Sequence, residues 1–166
     1  MPRGFVRMMV WMAAAALLPG CATGISKEVR SQVTYEGGFA ELQQNPERFK
    51  GQTVIFGGKV IASEMLAQGP ELVVLQLELD GGDRPQDNDQ SKGRFLIHSK
   101  QFIDPAIYPQ GTLVTVVGTL EESQERLIGQ MAYRYPVINA LEIKRWPPPT
   151  DNSPRFHFGI GVGTVF

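Results

Sequence analysis

Two stretches rich in β-forming side chains, each interrupted by glycine, constrain the fold more than any other feature of the chain. One is Thr53-Val54-Ile55-Phe56-Gly57-Gly58-Lys59-Val60-Ile61, and the other runs from Leu113 to Leu120 around Gly118. Glycine inside a strand weakens it but permits a bulge or a sharp bend, which a small barrel needs at its corners. Between them, Glu71 to Asp80 alternates, with Val73, Leu75, Leu77 and Leu79 on one face and Val74, Gln76, Glu78 and Asp80 on the other. Gly93 to Ser99 forms a third strand. Tyr133 to Trp146 forms a last long one, with Tyr135, Val137, Leu141 and Ile143 as partners for the core and Pro136 confined to an edge or a beginning. Five strands with kinks in the first and fourth predict a mainly β fold, a small five-stranded OB-like barrel. An open five-stranded sandwich is the alternative.

One or two short helices accompany the strands. Phe39 and Leu42 lie three apart and would present one face to the core. Asn45-Pro46 ends that helix, since proline disfavours helical geometry in the residue before it. Phe49 then turns back toward the core, and Gly51 frees the backbone. Asp104 and Pro105 predict one helical turn over Ile103 to Tyr108, as cap and first helical residue. Gly81 to Lys92 is a polar loop, and Glu121, Glu122 and Glu125 fall in a polar hairpin connection.

The chain begins as an exported one. Arg3 and Arg7 precede an unbroken apolar run from Met8 to Leu18, the plan of a secretory signal. The run is too short for a bilayer, which needs about 20 apolar residues. Leu18-Pro19-Gly20-Cys21 closes it, and resembles a bacterial lipoprotein processing site. That resemblance implies cleavage between Gly20 and Cys21, lipid attachment at the Cys21 thiol, and acylation of the new N-terminus, palmitate included. Ala22, rather than aspartate, follows the cysteine, which by the same resemblance favours the outer membrane and a domain facing the periplasm. The expected organisation is a signal peptide over 1–20, a lipidated tether over 21–36 and a β-barrel domain over 37–146. A Pro-rich linker and a Gly/Phe-rich tail occupy 147–166.

Removing Arg3 and Arg7 from 16 basic residues leaves 14 against 17 acidic ones. Nothing there would neutralise a phosphate backbone, so nucleic acid is not an expected partner. Cys21 is the sole cysteine, so once it is acylated the domain holds together without disulfides. In the tail, Phe156, Phe158, Ile160 and Val162 alternate with His157 and glycines. One strand cannot close a membrane barrel, so the tail is expected to touch membrane, a sheet edge or an envelope protein partner.

The residues from about Phe39 to Trp146 resemble the starvation-inducible outer-membrane lipoprotein (Slp) family. The resemblance rests on Asn45-Pro46-Glu47-Arg48-Phe49-Lys50-Gly51, Phe56-Gly57-Gly58-Lys59-Val60-Ile61, Gly93-Arg94-Phe95-Leu96, and Phe102-Ile103-Asp104-Pro105 with Tyr108. Val117-Gly118-Thr119 and Ile143-Lys144-Arg145-Trp146 complete it. It implies an outer-membrane lipoprotein linked to stress or stationary phase, not an enzyme, with Cys21 as the only functional position carried over.

Chemistry is otherwise sparse. His98 and His157 are the only imidazoles, too few for a zinc site, and no cofactor is expected. Asp87 to Gly93 resembles a calcium loop but places Lys92 at the turn glycine and His98 at the bidentate glutamate. Glu121, Glu122 and Glu125 have no apolar surround to raise a pKa. Ser99 and Ser123 have no histidine placed to activate them. Gly57-Gly58 and Gly81-Gly82 lack the context of a phosphate loop, and Arg94, Lys144 and Arg145 are too few for an electrostatic footprint. No catalytic residue is expected. Tyr108, Tyr133 and Tyr135 would serve the alternative function, an OB-like face that binds a small molecule or oligosaccharide by stacking.

Overall fold

The computed structural model describes residues 24–88 and 90–148. Seven strands follow one another: β1 (Thr53–Leu66), β2 (Gly69–Leu77), β3 (Arg94–His98), β4 (Leu113–Leu120), β5 (Gln124–Ile128), β6 (Met131–Tyr135) and β7 (Val137–Arg145). Five of them close a barrel in the order β1-β2-β3-β7-β4, and β5 and β6 pair separately. Neighbours in the barrel are antiparallel except β3 and β7, whose parallel pairing (Leu96 with Val137, Ile97 with Ile138, His98 with Asn139) closes it. The barrel, and not the open sandwich, is therefore the fold.

Its interior is filled by Val54, Phe56 and Val60 of β1, Leu72 and Val74 of β2, Phe95 and Ile97 of β3, Val114 and Val116 of β4, and Ile138 of β7. Among the described residues two short helices precede the barrel, α1 (Lys27–Arg30) and α2 (Phe39–Gln44). Phe39 and Leu42 of α2 are both buried, as their spacing predicts, and the Phe39 ring lies 5.2 Å from Phe56 and 5.8 Å from Phe95. A 3₁₀ turn over Pro46–Phe49 then buries Phe49, and Gly51 takes φ +85°, a conformation that disfavours any side chain. Asp104 caps a second 3₁₀ turn, Pro105–Ile107, by accepting from the Ala106 N–H at 2.9 Å.

Several expectations change on folding. The last long strand divides at Pro136 into β6 and β7. Proline has no N–H to give the ladder, and the chain turns there from the outer hairpin into the barrel. Leu141, expected in the core, is exposed, because the β4–β7 register shifts between Val117 and Gly118 and leaves it as the extra residue of a bulge on β7. Ile138 takes the core position instead. The supposed connection around Glu125 is strand β5.

On β2 the wholly apolar row is the outer one. Leu72 and Val74 face the barrel core, whereas Val73 packs outside it with Leu96, Tyr135 and Val137, under the β5–β6 hairpin. Leu77 meets Leu113 and Trp146 in a third cluster. Gly57 and Gly58 do not mark the bulge of β1, which falls between Val60 and Ala62. They allow close approach: a Cβ on Gly58 would collide with the Leu75 carbonyl, and one on Gly57 with the Leu79 side chain.

The stretch expected to be a tether packs on the barrel from Gly24 onward. Ile25 and Tyr35 are buried. The Thr34 and Tyr35 N–H groups donate to the Thr53 carbonyl at 2.9 and 3.1 Å. The expected signal peptide, Gly20, Cys21, and the tail from Pro149 with His157 lie outside the described residues.

Candidate functional site

The most demanding polar group in the barrel is Glu71, a carboxylate only 1% exposed on the outer face of β2. Register places it opposite His98 of β3, whose Nε2 lies 2.8 Å from its Oε2. From above, Arg126 of β5 donates Nη1 to Oε1 and Nη2 to Oε2, both at 2.7 Å. Such a two-pronged pair is the strongest form of carboxylate recognition by a side chain. Burial alone would raise the Glu71 carboxyl pKa. The Arg126 fork and the His98 bond outweigh it and hold the group below the ordinary carboxylate value. Arg126 is pushed upward, first by the same hydrogen bond.

An open polar cavity of about 520 Å³ lies beside His98, with Lys50, Gln68, Glu121, Glu122 and Gln124 among its lining. Its carboxylates are engaged. Glu121 accepts from Asn139 Nδ2 at 2.9 Å and Glu122 pairs with Lys50 at 2.5 Å. Glu125 pairs with Arg134 at 3.0 Å along the hairpin. Ser99 Oγ accepts from the Gln101 N–H, and Ser123 Oγ donates to Glu47, so neither hydroxyl is bonded to His98. With both Glu71 oxygens committed to Arg126 and His98, the cluster acts chemically as a clamp between hairpin and barrel.

The other sequence candidates are dispersed. None of the three tyrosines is exposed: Tyr135 is buried, and Tyr108 and Tyr133 are half-buried. The Tyr133 hydroxyl accepts the Arg94 N–H at 2.6 Å and also meets Gln43 Nε2. Lys144 and Arg84 lie over the Trp146 ring, which donates its Nε1–H to Thr115 at 2.9 Å. No pattern in the sequence singled out Glu71 or Arg126. The one legible signal was a glutamate two residues before the apolar row Val73, Leu75 and Leu77, and its partner Arg126 lies 55 residues away.

The first of the described residues form a second polar site. Ser26 donates its N–H and Oγ–H to the Glu142 carboxylate of β7 at 3.0 and 2.5 Å, and caps α1 through the Val29 N–H at 3.4 Å. Arg30 pairs with Asp83. Gly24 itself lies close to the Gly82 carbonyl and the Asp83 carboxylate.

A closed five-stranded OB-like barrel, held to its N-terminal segment and clasped by an outer hairpin, is the class of protein these features define. Residues 18–160 match the Outer membrane lipoprotein Slp family, and the chain belongs to that family. It is 31% identical over 154 residues to a protein of Escherichia coli (strain K12) named uncharacterized lipoprotein YeaY, covering 89% of this chain and 79% of that one. It is 27% identical to Outer membrane protein Slp of the same organism, covering 81% and 72%. Among solved structures, a small single-stranded DNA-binding protein from Streptomyces coelicolor overlaps 57% of this chain and 94% of its own, at 16% identity and a TM-score of 0.37, a likeness too weak to support any argument. Among the described residues no helix is long and apolar enough to cross a membrane.

Proposed function

We propose that this protein is a lipid-anchored, non-enzymatic module of the cell envelope that works by contact. The Cys21 thiol takes a diacylglyceryl group, cleavage between Gly20 and Cys21 frees its amine for acylation, the acyl chains hold it in the outer membrane, and the barrel faces the periplasm. The observation that supports this most is the placement of Gly24. Only Ala22 and Thr23 separate that packed residue from the sole cysteine, so an anchor at Cys21 holds the barrel itself, not a loose leash. The commitment of Glu71 to Arg126 and His98 agrees with a non-enzymatic role. Family membership supports action under stress or in stationary phase, and the tail over 155–166 is the proposed contact for an envelope partner.

Mass spectrometry of the protein recovered from membranes tests the anchor: a triacylated Cys21 as the first residue is expected, and an intact residue 1–20 segment overturns the reading. Protease added to intact cells and to spheroplasts tests the orientation, with cleavage expected in spheroplasts alone. Crosslinking in cells, comparing the full chain with a truncation after Pro149, tests the tail, and loss of crosslinks on truncation is expected. Reproducible turnover by the soluble domain, abolished by one point mutation, would sink the non-enzymatic reading.

The cavity beside His98 favours a second reading, a binding module for a small polar molecule or oligosaccharide. Its volume falls within the range of small-ligand sites, about 300–1,000 Å³, but its lining is more polar than such sites usually are. Saturable calorimetric binding lost on Lys50→Ala would favour it.

A further inference from the structure

We propose that the barrel rests on the bilayer through the apolar surface formed by Phe102, Ile107 and Leu141, and that the N-terminal segment sets this orientation. The inference rests on acylation of Cys21. Phe102 is 77% exposed, Ile107 50% and Leu141 47%. They border one cavity of about 300 Å³ at the seam where the β3–β7 pairing ends, with Tyr108 and Glu142 also in its lining. Leu141 is there because of the β7 bulge, and Ile107 because of the Asp104-capped turn. An exposed apolar cluster of this kind marks a contact surface.

The occupant follows from the anchor. Glu142, which lines the cavity, is also the carboxylate that holds Ser26 by two hydrogen bonds. Gly24 is likewise packed, against the Gly82–Asp83 turn. Three residue-to-residue steps lead from Cys21 to Gly24, and at about 3.3–3.6 Å each they reach about 11 Å at most. The side of the barrel that carries Ser26 and Glu142 is therefore held at the lipid headgroups. Phe102, Ile107 and Leu141 are the exposed large apolar residues beside Glu142. Leu127 and Met131, also exposed, belong to the hairpin clamped over β2 and β3. A weak apolar contact suffices under such a tether, because the short linkage makes binding effectively intramolecular. Side chains of this type settle at the headgroup and acyl boundary without spanning it.

The test uses lipidated full-length protein in vesicles of phosphatidylethanolamine and phosphatidylglycerol. Because acylation consumes the native thiol, Phe102→Cys, Ile107→Cys, Leu127→Cys and Met131→Cys each accept one spin label. Labels at 102 and 107 are expected to relax faster with oxygen, which partitions into lipid, than with a water-soluble nickel chelate. Labels at 127 and 131 are expected to show the reverse. Water-like behaviour at 102 and 107 on protein whose Cys21 is shown by mass spectrometry to be acylated overturns the proposed orientation and leaves the anchor intact. A free thiol at residue 21 overturns both. Inserting a flexible Gly/Ser segment between Thr23 and Gly24 is expected to reduce the contrast several-fold, and an unchanged contrast would overturn the role of the short tether. All labelled positions are exposed, and an unchanged thermal melt confirms the fold of each variant.

Discussion

Glu71 carries the sharpest consequences at the residue scale, since a buried carboxylate is tolerated only while its partners are present. Arg126→Ala leaves that charge with His98 alone and is expected to cost about 3 kcal/mol, the low end of the range for breaking a buried pair, because Arg126 is itself 34% exposed. Urea unfolding measures it. The lowered carboxyl pKa also sets a pH dependence. Unfolded, the group titrates at about 4.3. The stability it contributes is therefore complete above that pH, and is lost as pH falls through the lower native value. Glu71→Gln should flatten the decline in melting temperature as the medium is acidified below the ordinary carboxylate range, and an equally steep decline would refute the assignment. Glycines divide by mechanism. Gly58→Ala forces a methyl against the Leu75 backbone, which cannot swing aside, at an expected cost of about 3 kcal/mol. At Gly51 nothing crowds the position, so Gly51→Ala should cost about 1 kcal/mol, through its φ of +85° alone.

At the scale of elements, the β5–β6 hairpin is the telling one. Two strands alone are marginal in water. This pair is held by Tyr133, Tyr135 and Ile128 on Val73, Leu96 and Val137, and by the Arg126 clamp. Its amides should exchange through local opening at lower free energy than those of the barrel. In Tyr135→Ala, hydrogen exchange over residues 124–135 is expected to accelerate at least tenfold while β1 and β4 stay protected. Uniform acceleration would mean that hairpin and barrel unfold as one unit. The hairpin was hard to foresee because β5 reads as QERLI, three polar residues and two apolar ones with no clean alternation. Its place is decided by partners on β2 and β3 distant in sequence. The α2 and 3₁₀ segments were legible for the opposite reason, since a Phe39–Leu42 spacing, an Asn45-Pro46 stop and an Asp104-Pro105 cap are local signals.

For the whole molecule, anchoring and folding should separate cleanly. Cys21→Ser is expected to move the protein from the membrane to the soluble fraction while its melting temperature changes by less than about 2 °C, because the residue precedes the packed segment and the domain has no disulfide to lose. Fractionation with a thermal melt checks both halves. Co-loss of fold and anchoring would show that the N-terminal residue is part of the core.

The order of β-forming runs, their glycine breaks, the short helical signals and the lone cysteine after an apolar run are local properties, and from them the barrel class and the expected export follow. Tertiary structure decided which row of β2 faces inward, which residue of β7 bulges, and what Glu71 touches. Those outcomes depend on surfaces brought together from far along the chain. A strand with two apolar faces does not state which one will be covered by the barrel and which by a hairpin, and only the closed packing settles it.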